Sequence, residues 1–214
     1  MSDWVSSSEQ YLTPAGSTSG DPNSGGRAGG DPWREEAARA GRVGAHTVIL
    51  VARRVPAERV TRLLGIAPDE PAVLRRRLVT LDGVPVEVSD SWYPARVADG
   101  TPLAEDRPIK GGAVRALAAR GYVAARHVEE VAVVDVPAEL STLLPQPPVI
   151  ELTRASYTAP AAPADGADPA EDGAGIQDTE TAFEVAVMLM SREMAPGVPR
   201  RLRYTFTPGS MAGS

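Results

Sequence analysis

The chain has 214 residues, a net charge of −6, no cysteine and two histidines. That length suits one domain with appendages or two very small ones. The missing cysteines exclude disulfides, zinc–thiolate sites and cysteine nucleophiles, and the acidic balance argues against DNA binding by a broad basic face, which needs clustered Lys and Arg. Hydrophobic residues make up 43% of the chain and aromatic residues 5%, so Val, Leu and Ala must fill the core. His46 and His127 are far apart and have no H-x-x-x-H spacing, so neither a metal nor a cofactor is expected. Residues 1–30 lack the basic-then-apolar pattern of a signal peptide. No apolar run reaches the roughly 18 residues of a membrane span. The cytoplasm is therefore the expected location. Lys110 is the only lysine, so arginine carries nearly all the positive charge.

Residues 1–30 are rich in Ser, Gly and Asp and read as a flexible leader. Residues 31–42 read as a linker with a short helix. Asp31-Pro32 supplies an N-cap and a first helical residue, Glu35 and Glu36 fall in the first turn, and Gly41 is the stop. His46–Val55 is β-rich. Pro56 and Ala57 open a helix, Glu58–Leu64, which ends at Gly65. Val73–Leu81 and Val84–Tyr93 are strands joined by Asp82-Gly83, a strong hairpin signal. In the second of them Val84, Val86 and Val88 share one face, and Glu87, Ser89 and Ser91 the other.

Pro94–Ile109 reads as a loop with one helical turn. Gly111-Gly112 starts a helix, Ala113–Arg120, with Val114, Leu117 and Ala118 on one face. A long strand runs from about Ala124 to Val136, Pro137 opens a short helix to Leu144, and Val149–Tyr157 is the next strand. Residues 158–179 are mostly Ala, Pro, Asp and Gly and form an acidic low-complexity insertion. It separates two strands that would otherwise make a hairpin, the second being Phe183–Ser191. Leu202–Phe206 is the last strand, and residues 208–214 are tail. Consecutive strands joined by short connections favour an α+β fold, with helices on an antiparallel sheet.

The succession Pro56 to Gly65, Glu70-Pro71-Ala72-Val73-Leu74-Arg75-Arg76-Arg77, Asp82-Gly83-Val84-Pro85-Val86-Glu87 and Asp90-Ser91-Trp92-Tyr93-Pro94 resembles the effector-binding UTRA domain of GntR/HutC-type transcription regulators. Lys110-Gly111-Gly112, Leu117, Arg120-Gly121-Tyr122, Val149 to Arg154, Phe183-Glu184-Val185 and Arg203-Tyr204 continue the likeness, which covers residues 43–207. It implies a chorismate lyase-like fold, mainly an antiparallel sheet flanked by helices around a ligand pocket. The family normally carries a winged helix in front, of roughly 60–70 residues. Here a Ser/Gly leader occupies that place, and Trp4–Pro14 looks like the linker that follows the winged helix in actinobacterial relatives. Direct DNA binding is not expected. Sugar-phosphate-responsive members have a second Arg two residues after the first on the second strand, where this chain has Val79 after Arg77. Many also have Ser at the start of the central helix, where Gly112 stands here.

The expected ligand-binding residues are Arg75, Arg77, Asp90, Tyr93, Gly111, Gly112, Glu184 and Tyr204. Arg75 and Arg77 share a strand face and Arg76 takes the other. A buried Arg needs a carboxylate or an anionic ligand, and the ordinary reading is a salt bridge to Glu87 or Glu184. Gly111-Gly112 exposes backbone N–H groups, an anion-binding arrangement that Lys110 would strengthen; the ordinary reading is a tight turn that needs glycine. The resemblance implies that Glu184 and Tyr204 face the pocket, although a salt bridge and a rim tyrosine would serve as well. Trp92 and the cluster Met188, Met190 and Met194 are weaker candidates, read chiefly as core, and the histidines are left without a role.

No G-x-S-x-G, P-loop or Rossmann pattern is present, and no catalytic residue is assigned. The expected function is a stand-alone small-molecule-binding module that acts in, or regulates, a metabolic pathway. It is expected to be a homodimer or to pair with a full-length regulator. The alternative is a cofactor-independent cyclase or lyase of secondary metabolism, working through Arg, Glu and Tyr around an enclosed ligand.

Overall fold

Runs in which Val, Leu and Ala alternate with polar residues form a sheet whose two faces are covered differently. The computed structural model describes residues 4–7, 32–144, 148–159 and 181–204. Its elements are β1 (Trp4–Ser7), α1 (Pro32–Arg39), β2 (Gly44–Arg54), α2 (Glu58–Leu64), β3 (Ala72–Leu81), β4 (Val84–Tyr93), α3 (Ala95–Ala98), a 3-10 turn η1 (Pro102–Ala104) and α4 (Gly112–Ala118). They continue with β5 (Arg126–Val134), a second 3-10 turn η2 (Ala138–Leu140), β6 (Val149–Tyr157), β7 (Glu184–Met190), β8 (Glu193–Ala195) and β9 (Val198–Arg203).

Six strands make one sheet in the order β2-β3-β4-β7-β6-β5, every neighbouring pair antiparallel. The β3–β4 hairpin turns on Asp82 and Gly83, both left-handed at φ 49° and 79°. Two central residues at positive φ match the twist of the flanking strands, which is why Asp-Gly is favoured there. β6 and β7 pair antiparallel across the acidic insertion, residues 160–179 of which lie outside the described residues.

Helices cover both faces, so the α+β expectation holds. On one face α2 packs Val60 and Leu64 against Leu74, Trp92, Ala155 and Val185. η2 extends that cover, with Leu140 against Val88, Val149 and Leu189. On the other face α3, η1 and α4 set Val97, Leu103 and Leu117 on Val73, Tyr93 and Phe183. Leu64, Leu74 and Leu103 are at most 1% exposed, and each such side chain contributes about 1.5–3 kcal/mol by leaving water.

The ends of the described chain differ from the sequence reading. Trp4–Ser7, expected in a flexible leader, form β1, which pairs parallel with β9 in a three-stranded sheet β1-β9-β8. The reason is apolar: the Trp4 and Trp33 rings lie 5.8 Å apart, buried with Ala37, Leu81, Val86 and Met194. The Trp4 indole N–H donates to Glu36 at 2.7 Å, as does the Ser6 hydroxyl at 2.8 Å, so the polar atoms are satisfied too. The last strand spans Val198–Arg203 and not Leu202–Phe206. Pro196-Gly197 turns β8 into β9, a hairpin too short for alternation to reveal, and Thr205 and Phe206 lie outside the described residues, as do the tail and residues 8–31.

If β1 belongs to the folded unit, Trp4→Ala lowers the unfolding free energy by about 3 kcal/mol, the usual cost of emptying an aromatic site. Urea denaturation measures it; a change below about 0.5 kcal/mol, the scale of surface substitutions, would show that β1 adds nothing.

Candidate functional site

The face beneath α3, η1 and α4 carries buried polar side chains, among them Arg75, Ser89, Ser91 and Ser156, arranged in rows across the strands. One row reads Arg75, Ser91, Ala186, Arg154, Glu129, and the next Arg77, Ser89, Met188, Leu152, Val131. A third row places Tyr93 beside Glu184, which is followed by Ser156 and His127.

Each row has its own electrostatics. Arg75 is 5% exposed and spends its guanidinium on backbone carbonyls: those of Pro102 (3.3 Å), Leu103 (3.0 Å), Glu105 (2.7 Å) and Arg107 (2.9 Å). Burial pulls its pKa down from the usual arginine value, and the Arg77 charge acts the same way. Arg75 is thus the clamp that holds the η1 loop onto the sheet. The Tyr93 hydroxyl donates to Glu184 at 2.7 Å. Burial pushes that phenol well above its ordinary pKa, and the Glu184 charge adds to the effect. Arg154 donates to Glu129 at 2.5 Å, with both side chains nearly buried. His127 Nδ1 and Ser156 Oγ lie 3.1 Å apart. Burial lowers the His127 pKa, Arg154 lowers it further, and Glu129 opposes them.

Arg77 differs from its neighbours. It is partly buried, and among the described residues its one side-chain hydrogen bond is a long one, 3.4 Å to Ser89 Oγ. The other partly or fully buried guanidiniums on β3, β6 and β9 have carboxylates or carbonyls: Arg76 with Asp90, Arg154 with Glu129, and Arg200 with Glu87 at 3.1 Å.

Several expected site residues stand elsewhere. Asp90 points to the opposite face, where it forms a two-bonded ion pair with Arg76, both bonds 2.7 Å. That hydrogen bond raises the Arg76 pKa. The cause is strand alternation: Asp90 is opposite Arg76 in the register, so it cannot share a face with Arg77. The salt bridge expected from the arginine run thus forms, but with Asp90 and not with Glu87 or Glu184. Tyr204 follows β9 in the small sheet and is 41% exposed; it is not on the six-stranded sheet with Glu184. Gly111 and Gly112 are both left-handed, at φ 82° and 81°. The Gly112 N–H already donates to the Ile109 carbonyl at 2.9 Å, which makes the pair a tight turn. Met194 lies in the Trp4 cluster, its sulfur 2.9 Å from Arg200 Nε.

Ser89, Ser91, Ser156, His127 and the Arg154–Glu129 pair belong to this face and went unassigned in the sequence. The signal for the last three was the pairing of the strand after Ala124 with Val149–Tyr157, since register alone decides which side chains meet. Separately, a groove of about 470 Å³ runs between Gly100–Pro102 and α4, and none of the rows above lines it. Among the described residues no group of three or more His, Asp or Glu could hold a metal ion, and no helix is long and apolar enough to cross a membrane.

A mostly antiparallel sheet with a helix-and-turn cover over a polar, arginine-bearing face is the architecture of an effector-binding domain. The profile of the UTRA domain matches residues 39–165, more than half of the chain, and the chain belongs to that family. Its fold is similar to that of a putative GntR-family transcriptional regulator, at 21% identity and a TM-score of 0.60, covering 86% of this chain and 67% of that one. The effector domain of PhnF from Mycobacterium smegmatis is similar at 20% identity and a TM-score of 0.57, covering 82% and 94%. The ligand-binding domain of a putative GntR-family regulator from Bordetella bronchiseptica is similar at 18% identity and 0.52, covering 77% and 89%. No curated protein matches the chain.

Two outcomes are expected here. Arg75→Ala, which strips four carbonyls of their donor, lowers stability by about 3 kcal/mol. Arg75→Lys restores only part of it, because a compact ammonium cannot reach all four; urea melts of both variants measure the difference. Second, the lowered His127 pKa means that the unfolded chain binds its proton first. This histidine's contribution is therefore intact above its ordinary value of 6.5 and is lost as pH falls from there through the folded pKa. Stability measured from about pH 7.5 to about pH 5 declines less in His127→Gln than in the parent. Equal slopes would remove His127 as a source.

Proposed function

We propose that this chain binds a small molecule bearing an anionic group on the six-stranded sheet, with Arg77 as the principal anchor. The observation that carries it is the partly buried Arg77 guanidinium, which has one long hydrogen bond and no carboxylate. A charge in that position is costly without a counter-charge, and the neighbouring arginines show how this fold otherwise meets the cost. A ligand carboxylate or phosphate would supply it, with bidentate geometry available to the guanidinium fork. Ser89 lies beside the anchor and Met188 next in the row, and the Tyr93–Glu184 pair stands two rows away on the same face, beyond the Arg75 row. Asp90 takes no part in this site, and Tyr204 is not needed for it.

The relatives by fold are named as transcriptional regulators or their effector and ligand-binding domains, which supports a regulatory binding module; we further propose that it works in a metabolic pathway in the cytoplasm, as a dimer or with a partner regulator. One observation favours the second reading, a cofactor-independent cyclase or lyase. His127, whose pKa is lowered by burial, shares the face with Tyr93–Glu184, so a base and a proton donor stand on one surface.

A metabolite library screened by thermal shift, followed by titration calorimetry, tests the proposal. The expected result is an anionic ligand whose affinity falls at least tenfold in Arg77→Ala, about 1.4 kcal/mol, while the same change at exposed Arg62 leaves it intact. Equal affinity in Arg77→Ala would remove the anchor. Mass spectrometry of the bound ligand separates the two readings: unchanged ligand supports binding, and conversion lost in His127→Gln supports catalysis.

A further inference from the structure

The groove between Gly100–Pro102 and the outer side of α4 takes no part in the site proposed above, and its chemistry is one-signed. Arg107, Lys110, Arg115 and Arg120 line it together with Pro108, Ile109, Ala116 and Ala119, and no acidic residue does. Arg107 is paired with Glu105. Among the described residues Lys110, Arg115 and Arg120 make no ion pair. The sequence isolates the same feature: between Arg107 and Val128 there are five basic residues, Arg126 the fifth, and no Asp or Glu, in a chain of net charge −6.

Many surface arginines in this protein are paired, although the exposed Arg54, Arg192 and Arg203 form no ion pair among the described residues. Arg39 has Glu35, Arg42 has Asp82, Arg53 has Asp99, Arg59 has Glu130 and Glu151, and Arg62 has Glu58. The groove differs in gathering three such cations, Lys110, Arg115 and Arg120, along one wall. One of them, Arg115, also lies against the glycine turn. A Cβ built on Gly111 would come within 2.8 Å of Arg115 Cδ, so the glycine turn is what lets the Arg115 stem lie across it. The backbone N–H of Gly112 is already engaged by Ile109, which leaves the side chains as the binding groups. Like charges gathered along a concave wall repel one another and focus an attractive field on an anion. The wall between them is apolar, from Pro108, Ile109, Ala116 and Ala119, as in sites where a few polar groups orient an otherwise apolar contact.

We infer that this groove is a second binding site, for a small polyanion carrying phosphate or several carboxylates, contacted by Lys110, Arg115 and Arg120. A volume of about 470 Å³ suits a metabolite. The inference is independent of the Arg77 anchor, which lies on the β-sheet face.

The test uses the whole chain, labelled with nitrogen-15, titrated with pyrophosphate in one arm and citrate in the other, with amide shifts followed by NMR. Saturable shifts are expected at Gly100, Ala116 and Ala119 in at least one arm, weakening as salt is raised, and the tighter arm identifies phosphate or carboxylate as the preferred chemistry. The double variant Arg115→Gln, Arg120→Gln should bind at least tenfold more weakly. The control Arg39→Gln, Arg62→Gln, which removes the same charge elsewhere, should bind as the parent does. Linear, non-saturating shifts in both arms, or equal weakening in the control, overturn the inference. Shifts confined to Arg77, Ser89 and Met188 and preserved in the groove variant also overturn it, and they leave the Arg77 proposal standing. Both groove arginines are exposed, and an unchanged circular dichroism spectrum confirms that the variants fold.

Discussion

A guanidinium cannot be buried without acceptors, and the way Arg75 finds them shapes this domain. It draws on four carbonyls from Pro102 to Arg107, a segment with almost no regular structure of its own. Side-chain entropy and backbone freedom would otherwise favour an open loop there. With the clamp in place, Leu103 is buried against Val73, and α3 and α4 are held on either side of it. The cover thus sits over one end of the sheet. Arg77, two residues further along β3, lies past the reach of those carbonyls, which is why its charge is met by a single serine.

Two neighbouring arginines on one strand face therefore have opposite fates, and a third on the other face has another. Arg76 is neutralised within the sheet by Asp90. An ion pair of this kind does not add much net stability over apolar packing, but it fixes register, because a one-residue slip between β3 and β4 would set Arg76 against a serine. The arginine run is in this sense a division of labour: one residue folds a loop, one locks a register, and one, the proposed anchor, is met by a single serine.

Strand positions were legible in the sequence wherever alternation ran for eight or more residues, as in Val84–Tyr93 and Val149–Tyr157, and helix α2 was legible from its Pro56 entry and Gly65 stop. The antiparallel α+β arrangement followed from those runs and from the resemblance to the UTRA domain. Short elements escaped: β1 has four residues, and β8 three. Their existence depends on tertiary burial of Trp4 and Met194, which no local pattern announces. The site was legible by residue type and not by partner. Arginine, glutamate and tyrosine were singled out by type, yet which face each takes depends on register between strands distant in sequence. Asp90 is the clearest case, since its neighbours Ser89 and Ser91 do lie beside the arginines it was expected to join. Gly111-Gly112 suggested exposed N–H groups, whereas positive φ at both positions turns the chain and one N–H is consumed in the turn.

The parallel pairing of β1 with β9 has a mechanical consequence. Trp4 stands opposite Arg200 and Ser7 opposite Arg203, so a pull along β1 loads every bond between the two strands at once, in shear, and none can open ahead of the others. Arg200 also holds Glu87 of the six-stranded sheet. Force applied at the front of the described chain is thereby delivered two residues from Ser89, beside Arg77, through a short and stiff path of one strand pair and one ion pair.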